Sequence, residues 1–265
     1  MHLHQLAIRL SGTHGTMRAR EITPSGLHGV FYDIVKRFDA DVAAMLHEHS
    51  APKPYTLAPA HYDKKRHEFA GILISTLTDD VTESVTRAFH MAYEQATHLH
   101  IGKQECVISD LTFLDSSSFA QLSYSDQHKR FELDFLTPTS WRAGHGDLIV
   151  PTPRHIFMRP YFVWQAFAEE AYQLPADWLD WCEENVFIVR HDIRSVQKNI
   201  NRYKPYTGFV GRVSLAAKTK RDADPQRTRT YLSILTGLAR FLTFSGTGKR
   251  TTMGMGCVEL LQSRA

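Results

Sequence analysis

The sequence has few cysteines and no long apolar run, and each absence excludes a class of protein. Its 265 residues include three cysteines, Cys106, Cys182 and Cys257, and no CxxC pair. A disulfide scaffold or a structural zinc site is therefore not expected, and a reducing compartment fits best. The opening MHLHQLAIRLSG is too short an apolar run for a signal peptide, and no stretch is long enough to span a bilayer. We expect a cytoplasmic protein without a membrane partner.

Net charge is also small, because the formal total is only +3 in a composition of 43% hydrophobic and 22% charged residues. That composition is ordinary for a globular protein. The charge is distributed unevenly: between residues 186 and 250 the only acids are Asp192, Asp222 and Asp224. Such a region favours a surface that follows a phosphate backbone over a merely solvated rim. The bases that we single out in this region, on and beside a predicted strand pair, are Arg190, Arg194, Lys198 and Arg202.

The first half of the chain follows a β-α-β-β-α-β order. LHQLAIRLS alternates like a strand, SGLHGVFYDIVKRF has apolar residues at helical spacing, and DADVAAMLHEH adds a short helix before SAPKP. PYTLAPA, FAGILISTL and HLHIGKQECVISDLTFL are predicted strands, and TDDVTESVTRAFHMAYEQ is a helix capped by Thr78 or Asp79. This order predicts an α+β, ferredoxin-like (RRM-like) domain, which is an antiparallel sheet with helices on one face.

The second half fits the same order after a polar break, DSSSFAQLSYSDQHK, in which we place the domain boundary. KRFELDFLTPTSWR is a predicted strand, and residues 154–172 are a predicted helix that Pro160 kinks or delays. A predicted strand pair follows, formed by VFIVRHDIRSVQ and YTGFVGRVSLAAK. An amphipathic helix, TRTYLSILTGLARFLTFSG, and a last strand, CVELLQ, complete this half. We therefore expect tandem ferredoxin-like βαββαβ domains, residues 1–125 and 126–265.

The stretch GTGKRTTMGMG concentrates glycine and positive charge before the last strand. It is not GxGxxG, because Thr251 is its sixth residue, and it is not a P-loop, because Arg250 follows the lysine. This context excludes a nucleotide-dependent enzyme. Its glycines admit positive φ and expose N–H groups to phosphate oxygens, although a tight helix-to-strand connection is the alternative. The predicted binding residues are Gly246, Gly248, Lys249, Arg250, Thr251, Thr252, Gly254 and Gly256.

This loop, with ARFLTFSG before it, resembles the CRISPR-associated repeat-RNA endoribonucleases of the Cas-six family. FLTPTSWR followed by PTPRHIF is similar to the opening of the family's second ferredoxin-like domain. GVFYDIV and LHEHSAPKPYT are similar to its N-terminal helix and the segment after it. The resemblance spans nearly the whole chain, and the glycine loop is its most specific part. It implies an endoribonuclease that converts CRISPR precursor RNA to guide RNA, without a metal or other cofactor.

The resemblance also implies the chemistry and its residues. The 2′-hydroxyl of RNA attacks the neighbouring phosphorus and leaves a 2′,3′-cyclic phosphate and a 5′-hydroxyl. His47 matches the family's histidine, and an imidazole suits proton transfer near neutral pH. Lys53 matches the family's lysine, a cation for the phosphorane. Tyr32 matches the family's tyrosine, which would orient the 2′-hydroxyl or share the proton transfer.

Several alternatives stay open at this point. His49 rivals His47, from which it is two residues away. A guide-RNA-binding subunit of a CRISPR effector complex that cuts weakly or not at all would have the same fold, and a homodimer is a further option. A metal site is not expected, because His47 and His49 point apart on a helix, and neither they nor His98 and His100 have a third ligand nearby.

Overall fold

Two antiparallel sheets, each covered by helices on one face, make up the protein. The structure, a computed structural model, describes residues 1–18, 22–48, 52–60, 70–124, 126–201 and 205–264. The elements around the first sheet are β1 (His2–Gly12), α1 (Pro24–Phe38), α2 (Ala40–Glu48), β2 (Tyr55–Ala60), β3 (Gly71–Thr76), α3 (Asp79–Glu94), β4 (Leu99–Ile101) and β5 (Gln104–Ser118).

The first sheet has the strand order β2-β3-β1-β5-β4, and every pair is antiparallel. Its core is formed where β1 faces α1 and α3. Leu6, Ile8 and Leu10 alternate along one face of β1 and are buried together with Phe31 of α1 and Phe89 of α3. The apolar stripe predicted for the first helix is therefore the surface that packs on this sheet.

The second sheet has the strand order β11-β6-β10-β9, again antiparallel throughout. Three tryptophans, Trp141, Trp164 and Trp178, are fully buried in the core beneath it. The elements around this sheet are α4 (Phe119–Ser123), β6 (Arg130–Thr139), β7 (Trp141–Ala143), β8 (Gly146–Leu148), α5 (Pro153–Phe167), α6 (Trp178–Asn185), β9 (Val186–Asn199), β10 (Pro205–Ala217), α7 (Pro225–Ser245) and β11 (Val258–Arg264), with 3₁₀ turns at Glu170–Tyr172 and Thr251–Met253.

Both strand orders place the first strand of each unit between the third and the last, which is the ferredoxin-like arrangement. The predicted fold class, tandem ferredoxin-like units, is confirmed. The division at residues 125 and 126 stays a prediction. Phe119 and Leu122, on its N-terminal side, are buried in the core of the second sheet.

Two local predictions were wrong. HLHIGKQECVISDLTFL is not one strand, because the chain turns back at Gly102, whose φ is 65°, and pairs Ile101 with Gln104. A two-residue turn of this kind needs a positive φ, which glycine supplies without strain. The predicted helix of residues 154–172 ends earlier, at Phe167, and Pro160 lies inside it. The polar break also contains the end of β5 and the short helix α4.

The two sheets are joined through α7. The Gln5 side chain donates from Nε2 to the Thr243 carbonyl at 2.7 Å, and the Thr56 hydroxyl donates to the Phe244 carbonyl at 2.8 Å. Both acceptors are near the C-terminal end of α7, where helical carbonyls have no partner within the helix. The first sheet therefore holds the segment from which the glycine loop starts. No helix in the described residues is long and apolar enough to cross a membrane.

Candidate active site

Helix α1 presents a histidine and a tyrosine on one side, away from its buried stripe. The helix begins where Thr23 accepts a hydrogen bond from the Gly26 N–H at 3.1 Å, with Pro24 in its first turn. His28 and Tyr32 are four residues apart and therefore adjacent on the helix surface. Their ring centroids are 4.7 Å apart in an edge-to-face contact, and both side chains are half-buried.

His47 lies in the last turn of α2 and reaches the same tyrosine. Its side chain is exposed, and its ring centroid is 6.0 Å from that of Tyr32. Lys53 holds the end of this helix, since its Nζ donates to the Leu46 carbonyl at 2.6 Å and to the His47 carbonyl at 2.9 Å. Burial lowers the pKa of Lys53. The structure thus brings together the three predicted catalytic residues, while His49 lies outside the described residues.

Tyr55, on β2, is buried beneath Tyr32 and belongs to the same cluster. Its ring stacks on Phe31 with centroids 4.4 Å apart, and its hydroxyl donates to the Tyr32 hydroxyl at 3.3 Å. Burial raises the pKa of both phenols. Both therefore stay protonated near neutral pH, and the Tyr32 hydroxyl keeps a hydrogen that it can donate.

The glycine loop between α7 and β11 packs against α1. The Nδ1 atom of His28 lies 3.0 Å from the Thr252 carbonyl, and the Thr252 side chain hydrogen-bonds Tyr55. A Cβ on Gly254 would meet Leu27 Cδ1 at 3.1 Å. Residues more than 200 positions apart thus form one site, and the imidazole of His47 and the loop lie on the same side of the molecule.

Most glycines of this loop are required by the loop's own backbone conformation and packing. Gly246, Gly254 and Gly256 are buried, and a Cβ on Gly256 would lie 1.8 Å from the Thr247 carbonyl oxygen. The expected row of free N–H groups is largely used internally: the Thr247 N–H donates to Gly256, and the Lys249 N–H donates to Ser140. The alternative interpretation, a tight helix-to-strand connection, therefore accounts for these glycines. All four predicted glycines, Gly246, Gly248, Gly254 and Gly256, do have positive φ.

The side chains of the loop differ in how far they are available. Lys249 forms an ion pair with Asp147, and Thr251 is buried. Arg250 and Thr252 are half-buried, and Arg250 adopts a left-handed backbone conformation with φ 61°. Gly248 is likewise half-buried. Arg250 and Thr252 are therefore the loop residues best placed to meet a ligand beside the cluster.

The predicted basic strand is β9, at the edge of the second sheet. Arg190 and Arg194 are exposed, and Lys198 is half-buried, with a pKa lowered by burial. Next to this strand, the Ile200 carbonyl accepts from the Ser25 N–H at 3.2 Å and from its hydroxyl at 2.8 Å, so the strand ends at the start of α1. The fourth predicted base, Arg202, lies outside the described residues.

The described residues contain no group of three or more His, Cys, Asp or Glu side chains arranged to hold a metal ion. His98 and His100 were considered as a metal-binding pair from the sequence. In the structure, His98 Nδ1 lies 2.8 Å from a carboxylate oxygen of Glu105, whereas His100 is exposed.

Comparison with known proteins relates the chain to one family of ribonucleases. The sequence model of the CRISPR-associated endoribonuclease Cas6 family matches residues 133–258, which contain most of the second sheet's core and the glycine loop. Over these residues the chain resembles the Cas6 family. It is 24% identical to the Mycobacterium tuberculosis CRISPR-associated endoribonuclease Cas6 over 270 residues, covering 98% of this chain and 78% of that protein. The Streptococcus thermophilus protein of the same name is 20% identical over 228 residues, 86% and 88% of the two chains.

The likeness extends to the fold. A Thermus thermophilus Cas6 protein solved as a product complex superposes with a TM-score of 0.80 at 20% identity, covering 98% of this chain and 99% of that one. The Cas6 sequence match begins at residue 133, whereas the cluster of Tyr32, His47 and Lys53 lies in the first half. Thr252 lies in the matched part and contacts the cluster through His28 and Tyr55, so it connects the two.

Sequence reasoning missed two members of this candidate site, His28 and Tyr55. His28 precedes Tyr32 by one helical turn in GLHGVFYDIV, so its spacing was a usable signal. Tyr55 directly follows the segment that carries Lys53, but its burial beneath Tyr32 depends on tertiary packing that no local pattern encodes.

Proposed function

We propose that this chain is an endoribonuclease that cuts CRISPR repeat RNA by attack of a 2′-hydroxyl, without a metal ion. The observation that carries the proposal is the contact of Tyr32, His47 and Lys53 in one partly exposed cluster beside Thr252 of the glycine loop. Similarity to the Cas6 family, and to relatives that are named CRISPR-associated endoribonucleases, supports repeat RNA as the substrate.

Each side chain suits one task of the reaction. The exposed imidazole of His47 can exchange a proton with RNA that lies on the surface. Lys53 uses two ammonium hydrogens on carbonyls, and an ammonium has three, so one is left for a phosphorane oxygen. Protonated Tyr32 can donate a hydrogen bond to the reacting ribose or phosphate. The reaction transfers protons and redistributes charge, and these groups supply both functions.

The basic strand supplies the binding track in this proposal. Arg190, Arg194 and Lys198 recur every four residues along β9, which spaces them about 13 Å apart at about 3.3 Å per residue. The strand leads to the N-terminus of α1, where Ser25 bonds Ile200. A single-stranded segment of RNA lying along these bases would arrive at the cluster, with Arg250 on the way.

The test uses a labelled repeat RNA incubated with the full chain in EDTA. We expect one cut per repeat, a 2′,3′-cyclic phosphate on the upstream product, and no cut in RNA that lacks the 2′-oxygen at the scissile position. His47→Ala should lower the cleavage rate by roughly 10²- to 10⁴-fold, the usual contribution of a proton-transfer group, and leave RNA affinity unchanged. His90→Ala, which removes an exposed histidine of α3, is the matched control.

Other results would contradict the proposal in distinct ways. A requirement for Mg²⁺, or cleavage of the 2′-deoxy substrate, would overturn the mechanism. Tight binding by the wild-type chain with no cleavage would favour the guide-RNA-binding subunit. Full activity of His47→Ala would move the proton-transfer role to another histidine.

A further inference from the structure

The backbone of the glycine loop orients the ring of His28. Its Nδ1 lies 3.0 Å from the Thr252 carbonyl oxygen, which can only accept a hydrogen bond. Nδ1 therefore carries the hydrogen, and in the neutral ring Nε2 is the nitrogen with a free lone pair. A histidine fixed in this tautomer is suited to accept a proton through Nε2.

The two histidines of the site contact one phenol. The ring of His28 meets Tyr32 at an interplanar angle of 64° and the ring of His47 meets it at 78°, with centroids 4.7 and 6.0 Å away. They come from different helices, and they differ in exposure: His28 is half-buried, and His47 is exposed. A cyclising cleavage of RNA needs two proton transfers, and this arrangement provides two groups with different environments.

The surroundings of His28 favour its neutral form. Burial lowers its pKa, and the positive charges of His47, from α2, and Lys53, which follows α2, lower it further, against the opposing effect of the Thr252 carbonyl. Among the described residues, the other titratable groups that face the cluster are Tyr32 of α1 and Tyr55 of β2, which stay uncharged near neutral pH. Protonation of His47 thus disfavours protonation of His28, so the two are not equivalent.

We propose that His28 is the proton acceptor and His47 the proton donor of the cleavage reaction, an inference that rests on the function proposed above. His28 Nε2 takes the proton of the 2′-hydroxyl as the 2′-oxygen bonds to phosphorus. The bond between phosphorus and the 5′-oxygen breaks, and His47 gives its proton to that oxygen. One proton is taken and one is given, so the step needs no metal, oxidant or further reactant. Tyr32 and Lys53 stabilise the phosphorane between the two transfers.

The first test separates the chemistry of His28 from its contact with the loop. In His28→Asn the side-chain amide can still donate to the Thr252 carbonyl, but it has no basic nitrogen. We expect this variant to bind repeat RNA and to melt like the wild type while cleaving about 10²-fold more slowly. His90→Asn, on the exposed face of α3, is the matched control and should cleave normally. If His28→Asn cleaves at the wild-type rate, His28 is a structural contact and the proposal is overturned.

The second test assigns donor and acceptor with a substrate whose 5′-bridging oxygen at the cut is sulfur. A thiolate leaves without being protonated, so this RNA no longer needs a proton donor. We expect the sulfur substrate to restore cleavage by His47→Ala to near the wild-type rate and to leave His28→Asn slow. Rescue of His28→Asn, or of both variants, would overturn the assignment.

A third measurement needs no variant. With the oxygen substrate, wild-type kcat/KM should rise with pH through a midpoint below about 6.5, as His28 loses its proton, and fall again at higher pH, because a reaction with a proton acceptor and a proton donor has a bell-shaped pH dependence. The sulfur substrate should abolish the fall and keep the rise. A profile that keeps its fall, or loses its rise, contradicts the assignment. Wild-type protein that cuts neither RNA would instead refute the proposed function itself.

Discussion

At the scale of single residues, Tyr32 lies at the centre of the candidate cluster. It accepts a hydrogen bond from Tyr55 and contacts the rings of His28 and His47, so its own O–H is the donor that remains for a ligand. Its raised pKa keeps that hydrogen in place at neutral and mildly alkaline pH. In the proposed reaction the residue would contribute a hydrogen bond, and its loss should affect the size of the rate but not its pH dependence.

Tyr32→Phe removes this hydroxyl and keeps the ring. We expect cleavage of repeat RNA to fall roughly tenfold, equivalent to about 1.4 kcal/mol and typical of one lost hydrogen bond, with an unchanged pH profile. The measurement is single-turnover cleavage between pH 5 and 9. Tyr124→Phe, at a tyrosine that is 83% exposed, is the control. A shifted profile would assign proton transfer to Tyr32.

At the scale of elements, the position of His47 depends on how α2 is anchored at each end. Lys53 satisfies carbonyls at its C-terminal end. At its start, Asp39 accepts from the Val42 N–H at 3.1 Å, from the Ser84 hydroxyl at 2.7 Å and from Arg87 at 2.8 Å. These hydrogen bonds, first that of Ser84, lower the pKa of Asp39. The carboxylate thereby connects α1, α2 and α3.

Asp39→Ala should lower the free energy of unfolding by about 1–2 kcal/mol at pH 7, the usual cost of losing a helix cap. Because the folded-state pKa is depressed, the stabilisation is present above the unfolded value of about 3.9 and is lost as the pH falls through the folded value. The difference between wild type and variant should therefore shrink below pH 4. Urea unfolding at several pH values measures it, with Asp41→Ala as the control in the same helix. A difference independent of pH would exclude a role for the charge.

Helices and strands were predictable where one apolar period dominates, as in α1, whose stripe from Leu27 to Val35 is buried as expected. The β4–β5 hairpin was missed because one glycine, Gly102, reverses the chain within an otherwise strand-like run. Tyr32, His47 and Lys53 were found through local resemblance. The bond between His28 and Thr252 could not be found in this way, because it joins residues that are 224 positions apart and only the packing of the halves brings them together.

At the scale of the whole molecule, the proposed reaction uses two parts of the protein together. The basic edge strand of the second sheet would bind RNA, and the cluster beside the first sheet would cut it. Lys198 pairs with Tyr206 across the strand pair, and Ile200 and Tyr206 share a small core with Met255 of the glycine loop. The edge strand, the loop and α1 are therefore in mutual contact. RNA held along β9 would be held in a fixed position relative to His47.

Replacing both Arg190 and Arg194 with Ala should weaken RNA binding and reduce its salt dependence. For single-stranded RNA the logarithm of affinity falls with the logarithm of salt with a slope of about −0.7 per phosphate neutralised, so the slope should lessen by about 1.4. Fluorescence anisotropy between 50 and 300 mM salt would measure it. Lys103→Ala, on the exposed β4–β5 turn, is the control. An unchanged slope would remove β9 from the binding track.

The bond from His28 to the Thr252 carbonyl has a thermodynamic consequence. The Thr252 carbonyl belongs to the loop and also accepts the hydrogen bond of the His28 ring. A ligand that displaces the loop would therefore change the proton affinity of His28. By reciprocity, the uptake of a proton alters the affinity for that ligand by the same factor. Occupancy of the loop and acidity of the medium are thus two controls on a single equilibrium.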